Sequence, residues 1–232
     1  MTDTIVRYEL ANTVATITMD DGKANALSPT MLDQLDAAFD RALGEAAAVV
    51  LTGRPEKFCA GFDLRIMMSG PEHAVNLLRR GSAVFMKMFE LPLPLVMATT
   101  GHALAGGALV VLCGDTRIAA DGAFKIGLNE VAIGLPVPTL AMELARARLS
   151  PTELTRATLL AQIYTPAEAR AAGWVDQVVA PADLLATATA EAARLGALSR
   201  PAFIGTKKRL RQASIDLIRS TLESDLASAM AR

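Results

Sequence analysis

Two stretches of the sequence could build a site from main chain rather than from side chains. Residues Lys57 to Leu64 (KFCAGFDL) follow an apolar run that reads as a strand and precede a helical pattern, and Gly101 to Leu109 (GHALAGGAL) is again a loop running into a helix. The first N–H groups of a helix have no partner within it, so such a turn can aim them at an anionic or polarised oxygen. Two donors facing one cavity would make an oxyanion hole. Gly61, Gly106 and Gly107 would equally serve tight turns and close helix packing, and spacing alone does not separate the two uses. Side-chain chemistry is sparse. His73 and His102 are the two imidazoles, and neither has metal-ligand spacing to a Cys, Asp or Glu, so His73 reads as a solvated helix residue and His102 as a turn or packing residue. The patterns G-x-S-x-G, G-x-x-x-x-G-K-[ST], H-E-x-x-H and G-x-G-x-x-G are all missing.

The elements that must position these loops alternate. Residues 5–10 and 14–19 flank Ala11, Asn12 and Thr13, which predicts an opening β-hairpin. Ser28 is a candidate N-cap with Pro29 at the first helical position, and Leu32, Leu35, Phe39 and Leu43 recur at helical spacing. Apolar runs at 47–51, 93–98 and 116–119 read as buried strands, with helical patterns at 71–90 and 107–113 between them, an α/β arrangement. Beyond Pro138 the strand signal fades, apart from 175–179. Thr165 to Glu168 reads as a capped helix start that Gly173 stops, a further helix begins near Pro181, and 201–232 reads as two helices separated near Ala213 and Ser214.

Composition narrows the class. A chain of 232 residues with 52% hydrophobic and 20% charged residues can bury a large core and is not a solvated random chain. With 23 Lys plus Arg against 24 Asp plus Glu, the net charge of −1 offers no field for a polyanion, so nucleic acid is not the expected partner. Cys59 and Cys113 lie apart in apolar settings, and no apolar leader follows Met1, so a reduced, cytoplasmic protein is expected. The uncharged stretch 91–114 is broken by Pro92, Pro94, Gly101 and Gly106, which makes it buried core rather than a membrane span.

The wording of the segments adds a resemblance. Phe58 to Leu64 matches F-[CS]-A-G-x-D-L, and Gly101 to Gly107 matches G-x-x-x-G-G-G with Ala105 in the first slot of the glycine triplet. Gly114 to Ala119 matches C-D-x-R-I-A with Gly for Cys, and Ala169 to Asp176 matches A-x-x-x-G-x-V-D. The chain resembles the crotonase superfamily, the enoyl-CoA hydratase/isomerase family. The resemblance implies an α/β crotonase (ClpP-like) fold of repeated ββα units in two roughly perpendicular sheets. It further implies a core over residues 1–190 and a helical trimerisation part over 191–232 of the same domain, assembled as a homotrimer or dimer of trimers. The implied substrate is an acyl-CoA thioester, coenzyme A being part of the substrate, with no separate cofactor and no metal.

Site residues follow from the same resemblance. The peptide N–H groups of Phe62 and Gly106 would bind the thioester oxygen, with Ala60, Gly61, Asp63 and Leu64 around the first donor. Lys23, Asn25, Ala26 and Leu27 would line the CoA path. The basic run Thr206 to Arg211 reads either as a solvated helix face or, through Lys207, as a contact to the CoA phosphates. Asp63 and Asp115 read as loop braces, and Trp174, Met67, Met68, Met86 and Met88 as core or tunnel lining. Hydratases of the family carry two glutamates. Here the first position is Leu109, which cannot orient water, while the second survives as Glu130 in I-G-L-N-E-x-x-x-G. That combination resembles the mitochondrial-type Δ3,Δ2-enoyl-CoA isomerases, with Glu130 as the one base and Leu109, Val131, Ile133 and Leu135 expected to desolvate it. A hydratase of reduced efficiency and a non-catalytic acyl-CoA- or RNA-binding member are the alternatives.

Overall fold

The structure is a computed structural model that describes residues 3–230. The hairpin forms as β1 (Val6–Ala11) and β2 (Val14–Met19), antiparallel with Val6 opposite Met19. Asn12 and Thr13 turn with φ of 48° and 67°, the handedness that matches strand twist in a two-residue hairpin. Helix α1 (Pro29–Glu45) starts where Ser28 accepts the Met31 N–H, and it buries Leu32, Leu35 and Phe39.

A repeating unit then takes over. Strands β3 (Ala48–Gly53) and β4 (Glu56–Cys59) are followed by α2 (Leu64–Met67) and α3 (Pro71–Glu90). Next come β5 (Leu95–Thr99), β6 (Gly101–Leu104) and α4 (Gly106–Cys113), and then β7 (Thr116–Ala120), β8 (Ile126–Gly127), a 3-10 turn (Val131–Ile133) and α5 (Thr139–Arg146). In each pair the first strand joins a six-stranded sheet, ordered β1-β2-β3-β5-β7-β9, and the second joins a three-stranded sheet, ordered β4-β6-β8. All neighbours except β1 and β2 are parallel. The small sheet is the part that sequence periodicity does not reveal, because strands of two to four residues are too short to show alternation.

The chain closes through α6 (Pro151–Thr158), α7 (Pro166–Ala172), β9 (Gln177–Val179), α8 (Leu184–Gly196) and α9 (Arg200–Met230). Thr165 and Glu168 form the expected capping box on α7, and Gly173 ends it at φ 92°. Leu184, Ala188 and Ala192 of α8 cover one face of the large sheet, against Val50, Val96 and Ile118. The other face packs the main core, in which every residue of α4 is buried. The expected border at residue 190 falls inside α8, so no element ends there.

The two expected C-terminal helices are one. Helix α9 runs unbroken through Ala213 and Ser214, neither of which breaks a helix as Gly or Pro would, and Ser214 donates to Glu143 Oε2 at 2.7 Å. It packs along α3 and α5. Among the described residues no helix is long and apolar enough to cross a membrane.

Candidate active site

Each strand of the small sheet delivers one expected functional residue just past its carboxyl end: β4 leads to Phe62, β6 to Gly106 and β8 to Glu130. The carboxyl ends of parallel strands are where open α/β sheets place ligands. Register brings the three together. Cys59 pairs with Ala103, Leu104 pairs with Gly127, and the Ala105 N–H donates to the Gly127 carbonyl at 3.0 Å.

The first donor loop is pinned from both sides. Leu27 N–H donates to Gly61 O at 2.8 Å, Asp63 N–H donates to Leu27 O at 3.4 Å, and Ala60 N–H donates to Ala24 O at 3.0 Å. This pattern skips the Phe62 N–H, which no protein oxygen among the described residues accepts. Gly61 sits at φ 92°, and a Cβ there would stand 3.2 Å from Gly106 N, so the two loops touch at the point where a side chain would separate them. Gly106 opens α4, so its N–H has no intrahelical acceptor. A Cβ on Gly107 would lie 2.0 Å from Cys59 O, a clash with main chain that no side chain can relieve. Ala105 turns into the helix at φ 50°, ψ −122°, conformational space that suits glycine far better than alanine.

Glu130 follows β8 by three residues and is half-buried. Its Oε2 is shielded and has no hydrogen-bond partner, and neither has Asn129 Oδ1 beside it. Desolvation raises the Glu130 pKa above the ordinary glutamate value, against a smaller downward pull from the backbone N–H groups of Glu130 and Asn129. Leu109, three residues into α4 from Gly106 and so on the same helix face, is 4% exposed. The neighbours expected to dry the carboxylate do so only in part. Val131, Ile133 and Leu135 stand exposed, Ile133 at 57%, because the 3-10 turn and its left-handed Gly134 direct them outward.

The other expected residues have mixed surroundings. Asp63 caps α2, accepting the Arg65 N–H at 3.0 Å and the Arg65 guanidinium at 2.9 Å, which holds its carboxyl below the usual range. Asn25 is a correction. It is fully buried, and its Nδ2 donates to Met19 O, Lys57 O and Phe58 O while Oδ1 accepts the Asp21 N–H, so the side chain ties loops together rather than lining a path. Lys23 is exposed, Ala26 half-buried and Leu27 buried; Ala60 and Leu64 are exposed. Met68, expected as lining or core, is 83% exposed, whereas Trp174 is fully buried. His73 is exposed on α3, while His102 lies on β6, accepts the Lys125 N–H and meets Phe124 edge-on.

Lys207 is the second correction. Neither a solvated face nor a free phosphate contact, it is 7% exposed and donates to Asp115 Oδ2 at 2.8 Å, while Arg211 donates to Asp115 Oδ1 at 2.8 Å and to the Phe89 carbonyl. Burial brings the Lys207 ammonium down to about 8. Lys207, Arg211, Ile215 and Ile218 follow one another at helical spacing on the buried stripe of α9, a signal the sequence does contain. Asp115 also accepts the Leu95 N–H at 2.9 Å, and Arg148 donates to the Leu112 and Gly114 carbonyls at the end of α4. Cys59 and Cys113 are buried thiols whose pKa burial pushes up to about 12.

The enoyl-CoA hydratase/isomerase family model matches residues 9–228. The human mitochondrial enoyl-CoA delta isomerase 1 is 30% identical over 218 residues, 92% of this chain and 72% of that protein. A putative enoyl-CoA hydratase of Thermus thermophilus is 31% identical over 196 residues, 80% of this chain and 75% of that one. An enoyl-CoA hydratase/isomerase family protein of Pseudomonas syringae superimposes with a TM-score of 0.93 at 38% identity, covering 96% of this chain and 97% of the other. With two unpaired main-chain donors and a shielded carboxyl at the ends of the three small-sheet strands, and a match along nearly its whole length, the chain is an enzyme of the enoyl-CoA hydratase/isomerase family.

Proposed function

We propose that the protein is a Δ3,Δ2-enoyl-CoA isomerase that works with one carboxylate. The observation that carries this reading is the pairing of Glu130, whose shielded Oε2 has no protein partner, with Leu109 in the place of a second acid. The thioester oxygen of a 3-enoyl-CoA sits between the Phe62 and Gly106 N–H groups. Glu130 takes a C2 proton, the electron pair delocalises as a dienolate onto that oxygen, and the same carboxyl returns the proton to C4. The double bond moves from C3–C4 to C2–C3, and no water is consumed. Each preorganised donor lowers such a barrier by about 2.7–4 kcal/mol. A desolvated Glu130 is the stronger base, and apolar Leu109 leaves no group to hold water over the alkene.

Coenzyme A enters as part of the substrate, and the chemistry calls for no further cofactor. A cytoplasmic setting and assembly as trimers or dimers of trimers belong to the same proposal, supported by the free buried thiols and by exposed Ile204, Leu210 and Leu217 along α9. The bacterial relative named as a hydratase supports the competing reading, slow water addition by Glu130 alone. Purified protein given 3-hexenoyl-CoA and crotonyl-CoA in parallel separates them. The isomerase reading expects faster migration than hydration; hydration in excess overturns it.

A further inference from the structure

The segment that leaves Glu130 is exposed over Val131 to Pro136 and again at Pro138, and it leans on the core through Val137. Its first turn is held by its own main chain, with the Leu135 N–H donating to Glu130 O at 2.9 Å. Farther on, Pro136 and Pro138 have no N–H to donate. The segment ends at α5, whose N-cap residue Pro138 offers no capping side chain. The cap comes from elsewhere: the Thr139 N–H donates to Asp225 Oδ2 of α9 at 2.8 Å, across 86 residues of sequence. A carboxylate at a helix N-terminus is favoured by the helix dipole as well as by the hydrogen bond. Asp225 therefore fastens the far end of the loop that carries the base.

We propose that Asp225 is a positioning residue for proton transfer: capping α5 from α9, it holds residues 131–138 against the body and shields the Glu130 carboxyl while that carboxyl carries the substrate's proton. The inference rests on the isomerase reading. In a shielded site the proton taken from C2 is the one delivered to C4. In a loosened site it exchanges with solvent before it returns, which a merely structural loss of stability would not produce.

The test is isomerisation of 3-hexenoyl-CoA in D2O, with deuterium at C4 of the 2-hexenoyl product read by mass spectrometry and NMR. Asp225→Ala removes the acceptor. Thr139→Pro removes the donor at the first helical position, where proline is tolerated, and Pro138 already has the extended conformation, at φ −70° and ψ 160°, that a following proline requires. Wild type should keep mostly protium at C4. Each single variant should raise the deuterium content several-fold, the double variant no further, and Asp225→Asn, which retains an acceptor, should stay near wild type. If Asp225→Ala does not fold, Thr139→Pro decides alone. Deuterium content unchanged in the folded variants, or already complete in wild type, overturns the role of Asp225 and leaves the isomerase reading standing. Absent migration in wild type, or migration undiminished by Glu130→Gln, overturns both.

Discussion

Two sheltered carboxylates, Asp115 and Glu130, have opposite surroundings. The Asp115 side chain is 14% exposed and accepts from Lys207, Arg211 and the Leu95 N–H, so its ionised form is satisfied on both oxygens. Glu130 is sheltered without a cation, and one of its oxygens meets nothing. A paired charge braces structure, here joining α9 to the start of β7. An unpaired one is held at a cost, and its ready exchange of a proton is what a catalytic base needs. Charge type and burial are common to both residues; the partners decide the role.

The comparison is broken most severely at Glu130. Glu130→Gln should lower the isomerisation rate by about 10²–10⁴-fold while acyl-CoA still binds through the main-chain donors, as steady-state kinetics and a binding titration would report. The same variant should unfold at a higher urea concentration than wild type at pH 7. Its raised pKa means that the fold favours the protonated form, so the contribution of Glu130 is fully present below the ordinary glutamate value of about 4.3 and is lost as pH rises through the folded-state value. The advantage of Gln should therefore vanish near pH 4, and kcat in wild type should rise with pH to a half-point above that of an ordinary glutamate.

Asp115→Ala should cost about 3–5 kcal/mol of stability in urea titrations, because it leaves Lys207 and Arg211 sheltered without a counter-charge. A cost below about 1 kcal/mol would erase the contrast with Glu130. Leu109→Glu should sharpen it: a second carboxyl gives water a polar partner and should raise hydration of crotonyl-CoA relative to isomerisation, while lowering stability by about 2 kcal/mol. The smallest effect belongs to Ala105→Gly. Relief of the positive φ outweighs the extra freedom of an unfolded glycine, and thermal unfolding should show a gain of about 1 kcal/mol.

Glycine spacing alone leaves the two loops open to either use; the wording of the motifs from Phe58 to Leu64 and from Gly101 to Gly107 is what singles them out, and the fold then gives Gly61 a left-handed turn and Gly107 a close contact with Cys59. The hairpin, α1 and α7 were legible through their turn and cap residues. What stayed hidden depends on distance along the chain. The helical spacing of Lys207 with Arg211, Ile215 and Ile218 hints at a buried stripe, but its counter-charge Asp115 lies 92 residues earlier and only the fold brings the two together. Nothing near Thr139 announces that Asp225 will cap it. The exposure of Ile133 has a simpler cause: adjacency in sequence to Glu130 does not fix where a side chain points, and the 3-10 turn sends this one outward.

The two unpaired N–H groups belong to the main chain, and that has a consequence for descent. A point mutation exchanges a side chain but leaves the peptide group in place, provided the new residue tolerates the local backbone and is not proline. The apparatus that would steady a negative oxygen is therefore insulated from most sequence drift, while the side chains around it, Leu109 and Glu130 among them, remain free to vary. A lineage built on such a frame can trade one reaction for another by changing a single acid or a single leucine, inheriting the costliest part of the catalyst unaltered.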